Sequence, residues 1–276
     1  LKNGLVPVAL GAASAVGEAD PVWWRVAPAL IVSLALQVGV NYANDYSDGV
    51  RGTDEVRVGP VRLVASGLAA PGAVKRAALA AFGVAAVAGL LLASITSWWL
   101  LVVGAAAMLA GWGYTGGPKP YGYLGLGEVF VFVFFGLVAT AGTTYVVCQR
   151  LTSVAWLAGC LAGCLACALL VVNNLRDIPT DREVGKRTLA VRLGDRLTRT
   201  FYFGLLAAAM VLVAALALTG RPLAALGLGG ALVAVPAIRA IRGGAKGAAL
   251  IPVLGATGKV QLATGFLTAV GMTISG

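Results

Sequence analysis

Apolar runs of about membrane-spanning length recur along the chain, separated by short polar segments. A helix crossing the bilayer needs roughly 20 apolar residues. By that measure, runs near 3–17, 22–46, 72–94, 97–115, 124–147, 153–176, 198–218, 222–240 and 250–273 read as nine membrane helices. The runs are continuous instead of alternating every second residue, which argues against a membrane β-barrel. Pro21, Pro71, Pro120, Pro222 and Pro252 fall near the expected helix starts, where a missing N–H costs little. The opening stretch Leu5 to Val16 is short and reads as a trimmed first membrane helix, with no cleaved signal peptide evident. The expectation is an all-α polytopic membrane bundle of about nine transmembrane helices, with residues 1–276 forming one transmembrane domain.

Composition strengthens that reading. Hydrophobic residues make up 59% of the chain and charged residues 12%, with a mean hydropathy of +0.89. Soluble domains carry about a quarter charged residues, so much of this surface needs lipid as solvent. The net charge of +10 is unevenly placed. Of the 21 Lys and Arg, all but Arg25, Arg150, Arg221 and the intrahelical Lys259 belong to the N-terminus and to the loops near 47–71, 115–123, 177–197 and 239–249 with their adjoining helix ends. Positive-inside bias puts those loops and the N-terminus in the cytoplasm and the C-terminus outside, in a multi-pass plasma-membrane protein. Membrane lipid is the expected partner of the outer surface; no nucleic-acid partner is expected.

Basic loops explain orientation but not the acids. Seven of the eleven acidic residues form two clusters: Asp45, Asp48, Asp54 and Glu55, then Asp177, Asp181 and Glu183. Both sit at ends of apolar helices, where an unpaired carboxylate is costly. Gln37, Asn41, Asp45 and Asp48 recur at helical spacing, so a polar stripe climbs one face of the second helix. Gly49 and Gly52 allow the chain to turn and bring Asp54 back. Asp177 and Asp181 are four apart, on one face if the helix continues past Pro179, which lies either at a first turn or at a break. Carboxylates facing one cavity repel one another, and oxygen-only ligands select a hard ion such as Mg2+. The chain has no histidine. Cys160, Cys164 and Cys167 share a helical face and read as small packing residues. Arg51, Arg57, Arg62, Lys119, Arg176, Lys186 and Arg187 lie in the same loops and suit a diphosphate.

Metal ligands and phosphate-type cations beside an apolar bundle suggest ionisation of an allylic diphosphate in a dry chamber. Tyr42, Tyr46, Trp112 and Tyr114 are aromatic faces that could steady a carbocation or, more blandly, anchor helices at the interface.

These motifs carry a resemblance. Asn41-x-x-Asn44-Asp45-Tyr46-x-Asp48-x-x-x-Gly52-x-Asp54 is followed by Gly59-Pro60-x-Arg62-Leu63-Val64-x-Ser66-Gly67, Tyr114-Thr115-Gly116-Gly117-Pro118 and Gly125-Leu126-Gly127-Glu128. Asn173-Asn174-x-Arg176-Asp177-x-x-x-Asp181 and Gly185-Lys186-Arg187-Thr188-Leu189 complete the set. In this order, and over nearly the whole chain, they resemble the UbiA superfamily of intramembrane prenyltransferases, most similarly its menaquinone-pathway branch. The basic, proline-containing lead-in usual in the family is shortened here. The resemblance implies two related four-helix halves plus a final helix. It also implies transfer of a polyprenyl group from polyprenyl diphosphate to 1,4-dihydroxy-2-naphthoate, with loss of CO2 and diphosphate, giving demethylmenaquinone.

By carry-over, Asn44, Asp45, Asp48, Asp54, Asp177 and Asp181 hold Mg2+, two ions in all, with Asp45, Asp48, Asp177 and Asp181 catalytic. Asn41, Arg62, Tyr114, Lys119, Glu128, Asn173, Arg176, Lys186 and Arg187 contact the substrates. Glu128 either lines the acceptor pocket or makes a structural hydrogen bond. Without histidine, the acceptor's proton goes to a carboxylate (Asp177 or Asp181), a tyrosine or water. The alternatives are another acceptor, such as 4-hydroxybenzoate, homogentisate, haem or chlorophyllide, a phosphoribosyl-transfer variant, or a cation transporter.

Overall fold

Each of the nine apolar runs folds as a helix in the computed structural model, which describes residues 2–53, 59 and 61–276. The helices are α1 (Lys2–Ser14), α2 (Val26–Val50), α3 (Pro71–Ile95), α4 (Trp99–Gly113), α5 (Gly127–Cys148), α6 (Ser153–Glu183), α7 (Leu189–Ala217), α8 (Pro222–Arg242) and α9 (Leu250–Ser275). Among the described residues there is no strand, and seven helices are long and apolar enough to cross a bilayer. The expected all-α membrane bundle is borne out, with nine an approximate count of its membrane helices. With 15 residues, α4 is about 22 Å long at 1.5 Å per residue, short of a hydrocarbon core of about 30 Å.

Three helices depart from the apolar runs in ways that matter for the site. α2 continues four residues past its run, so Asp45 and Asp48 stay helical. α6 runs through Pro179 to Glu183, so Asp177 and Asp181 share one helix. α7 begins well before its apolar run, because its first turns carry Arg192, Asp195, Arg196 and Arg199 and project beyond the oily region. Its start is capped by Thr188, whose hydroxyl accepts from the Val191 N–H.

α2 packs chiefly on α3, and α6 on α7. The hydrophobic core sits in the C-terminal part, where Leu161, Leu165, Tyr202, Leu216 and Met272 are fully covered. α5 and α6 approach closely through glycines. A Cβ at Gly136 would lie 2.6 Å from Gly163 Cα, and one at Gly163 would lie 2.6 Å from the Phe132 ring. α5 is π-wound over Phe132–Val138 along this contact. Val87, Leu109, Leu218 and Leu232 face outward, as lipid solvation allows.

The end of the bundle opposite the aspartates carries exposed Trp23, Trp24, Trp98 and Trp99, an interfacial aromatic belt. Two of its few cations are structural. The Arg25 guanidinium donates to the Val146 carbonyl (3.1 Å) and the Ile95 carbonyl (3.2 Å), ending α5 and α3. Arg221 donates to the carbonyls of Ala13, in the last turn of α1, and Val16, just past it, both at 2.6 Å. Free carbonyls at helix C-termini attract such donors.

Candidate active site

Between α2, α3, α4, α5 and α6 lies a cavity of about 490 Å³. Most of its wall is hydrocarbon: Leu36, Ala85, Gly89, Leu101, Ala107, Phe130, Phe134 and Leu170 among others. One end is polar, lined by Asn41, Asn44, Asp48, Arg62, Tyr114, Asn173, Asn174, Asp177 and Lys186. From Asp48 to Ala29 the lining follows α2 for about 28 Å.

The two acidic clusters meet at the polar end. Lys186 Nζ lies 3.9 Å from Asp48 Oδ2 on α2 and 3.8 Å from Asp181 Oδ1 on α6. The same ammonium sits 5.0 Å above the Tyr123 ring, and the Tyr123 hydroxyl donates to Asp48 Oδ1 at 2.8 Å. Burial and the neighbouring Asp48 charge push the Tyr123 phenol up to about 12. Burial also raises Tyr121 and, with Glu128 close by, Tyr114. The Tyr121 and Tyr123 hydroxyls are thus held protonated and donate, to the Ala110 carbonyl and to Asp48.

Asp177 is bound by its neighbour. Arg176 donates from Nε to Oδ1 (2.6 Å) and from a terminal nitrogen to Oδ2 (2.8 Å), and also to Asn173 Oδ1 (2.9 Å). Arg176 is buried against Gly59 and lies outside the cavity lining. Asp45 accepts the backbone N–H groups of Leu63 (2.9 Å) and Val64 (3.0 Å) and is likewise outside the lining. Asn44 accepts from the Thr115 hydroxyl at 2.8 Å. Arg51 donates to the carbonyls of Thr115 and Gly117, which ties the end of α2 to the loop before α5. Glu128 is buried and accepts from Asn174 Nδ2 at 2.9 Å, a helix-to-helix bond between α5 and α6.

The sequence expectations thus divide. Asn41, Asn44, Asp48, Arg62, Tyr114, Asn173, Asp177 and Lys186 converge on one cavity, and Asp181 joins them through Lys186. Glu128 stands behind Asn174. Lys119 and Arg187 are exposed and outside the lining. Asp54, Glu55, Arg57 and Pro60 lie outside the described residues. Tyr123 was not anticipated, since a tyrosine in a loop carries no spacing signal; its role comes from tertiary contact with Asp48 and Lys186.

The donor set suits a hard cation. A positive charge already stands between Asp48 and Asp181, and Asn41, Asn44, Asn173, Asn174 and Asp177 add amide and carboxylate groups to the lining. Among the described residues, no three metal-type side chains cluster at one point. Magnesium takes one or two carboxylates and completes its octahedron with water and phosphate oxygens.

Comparison with known proteins agrees. The model of the UbiA prenyltransferase family matches residues 4–250. The chain is 51% identical over 262 residues to 1,4-dihydroxy-2-naphthoate octaprenyltransferase of Mycobacterium tuberculosis, covering 95% of this chain and 89% of that one. A UbiA homolog from Aeropyrum pernix K1 in its apo form superposes with a TM-score of 0.69 at 17% identity, covering 99% and 97% of the two chains. A UbiA homolog from Archaeoglobus fulgidus bound to GPP and Mg2+ superposes with a TM-score of 0.63 at 13% identity, covering 98% and 95%.

Proposed function

The chain belongs to the UbiA prenyltransferase family, and from that premise we propose that it transfers a polyprenyl group from polyprenyl diphosphate to 1,4-dihydroxy-2-naphthoate with release of CO2 and diphosphate. The product is demethylmenaquinone at the quinol level, a step of menaquinone biosynthesis. One observation carries the reading: carboxylates from two helices share a cation at the polar mouth of a long hydrocarbon cavity. The mouth fits a diphosphate and the cavity fits its isoprenoid tail. The acceptor follows from the similarity to the mycobacterial naphthoate octaprenyltransferase.

The prenyl C1–O bond breaks and its electron pair leaves with the diphosphate. Lys186 and Arg62 line the place where that charge grows, and Tyr123 holds Asp48 in position. Asp48, Asp177 and Asp181, with Asn44 and Asn173 beside them, would hold Mg2+; Asp54 and a second ion belong to the same proposal. Bound Mg2+ supplies Lewis-acid stabilisation of the leaving diphosphate. The carbon walls keep water from the allylic cation. The ring carbon that bears the carboxylate bonds to C1, and its bond to the carboxylate carbon breaks, the electron pair returning to the ring as CO2 leaves. The ring thus exchanges carboxylate for prenyl with no net loss of a ring proton. The charge asymmetry of the loops supports a mouth facing the cytoplasm of a plasma-membrane protein, with the N-terminus inside and the C-terminus outside.

The test is purified protein in detergent, given radiolabelled prenyl diphosphate with each acceptor in turn. Label should enter a product only with 1,4-dihydroxy-2-naphthoate, and only with Mg2+. Transfer to 4-hydroxybenzoate or homogentisate instead, or full transfer in EDTA, overturns the reading.

A further inference from the structure

We infer that Asp45 is a positioning residue: it anchors the 61–66 turn on α2 and so holds Arg62 at the cavity mouth, instead of ligating metal. The inference rests on the proposed diphosphate site and assigns one of its acids a different task. Asn41, Asn44 and Asp48 share a helical face and all line the cavity. Asp45 sits at the edge of that stripe, about 100° of helix rotation from Asn44, and lines none of it.

Its two carboxylate oxygens are taken by consecutive backbone donors, the N–H groups of Leu63 and Val64. Those N–H groups open a tight turn closed by Ser66 N–H to Arg62 carbonyl (3.0 Å) and Gly67 N–H to Val64 carbonyl (3.0 Å). Leading donors of a helical turn have no partner within it, so Asp45 caps this turn from another element, as an N-cap carboxylate would. A second contact fixes the turn to the same side of α2. Gly49, one turn on, leaves room for Val64, and a Cβ there would lie 2.5 Å from Val64 Cγ1. Clamped at Asp45 and Gly49, residues 63–64 place the preceding residue, Arg62, in the lining with Asp48, Asp177 and Lys186.

The experiment compares Asp45→Asn, Asp48→Asn, Arg62→Met and Gly49→Leu. Mn2+ with inorganic pyrophosphate is the binding probe, read by electron paramagnetic resonance. Asp45→Asn should keep the metal complex that Asp48→Asn loses. Its KM for prenyl diphosphate should rise about tenfold, the worth of one charge-assisted contact, with a smaller change in kcat. Arg62→Met should show the same rise, and the double variant no further rise. Gly49→Leu, which touches no carboxylate, should reproduce it. Trypsin should cut the Arg62–Leu63 bond faster in Asp45→Asn than in wild type, and at the wild-type rate in Asp48→Asn. If Asp45→Asn loses the Mn2+ complex as Asp48→Asn does while trypsin cutting is unchanged, the assignment is overturned. A wild-type protein that forms no Mn2+–pyrophosphate complex would sink the diphosphate site itself, and the trypsin comparison would still decide the anchor.

Discussion

Asp48 and Asp181 leave different helices and meet at one ammonium, Lys186 Nζ, 3.9 Å from the first and 3.8 Å from the second. Two buried acids so close need a cation between them. Lys186→Met removes it without adding a polar group. Turnover should fall by about 10²–10³, the usual cost of losing one donor to a developing anion. The metal-free variant should also melt at a lower temperature than wild type, with Mg2+ and pyrophosphate restoring most of the difference. Equal melting with and without them would show that the pair does not need its cation.

Tyr123 donates its hydroxyl to the Asp48 carboxylate at 2.8 Å. Its phenol is pushed up to about 12 by burial first and by the Asp48 charge second. The protonated form is the one folding favours. Its stabilisation is therefore complete below about pH 10, the ordinary tyrosine value, and disappears as pH climbs toward 12. Phenolate absorbance should show several late-titrating tyrosines, and Tyr123→Phe should remove one of them. That variant should lose roughly 1.5–3 kcal/mol at the site, as a hydrogen bond to a charged group does.

The bundle and the meeting of the acids were legible because both are written in local pattern. Long oily runs fix the helices, and carboxylates three or four residues apart must share a face. What spacing leaves open is direction at the edge of a stripe. Asp45 and Asp48 look alike in sequence, yet one binds backbone and the other faces Lys186, because residues 63–64 cover one side of α2. Spacing also leaves open that Arg176, a candidate substrate contact, grips Asp177, its own neighbour in the chain. Lengths failed where charge masked a helix: α7 starts at Leu189, and its cationic first turns fall outside any apolar run.

Arg25 tests the other end of the bundle. It closes α5 and α3 through the carbonyls of Val146 and Ile95. Arg25→Met strands two partly buried carbonyls, at about 1–3 kcal/mol. The thermal midpoint in detergent should drop, while kcat and KM of the folded fraction stay near wild type because the site is at the far end. A matching loss of kcat would tie the two ends together energetically.

The cavity wall should set which tails are accepted. On α3 and α4 the lining is mostly small: Ala85, Ala86, Gly89, Gly104, Ala107 and Gly111. Small side chains leave the width that a long isoprenoid needs, and a closely packed wall gives little when a ring is added. Ala107→Phe places that ring in the hydrocarbon part of the cavity, away from Asp48 and Lys186. Geranyl diphosphate, confined near the mouth, should still react at close to the wild-type rate. A long polyprenyl diphosphate should lose about tenfold or more in kcat/KM, or roughly 1.4 kcal/mol of transition-state binding. Competition between the two donors in one vessel reads the ratio directly. If both donors slow equally, the ring has disturbed the mouth; if neither slows, the tail takes another route out of the site.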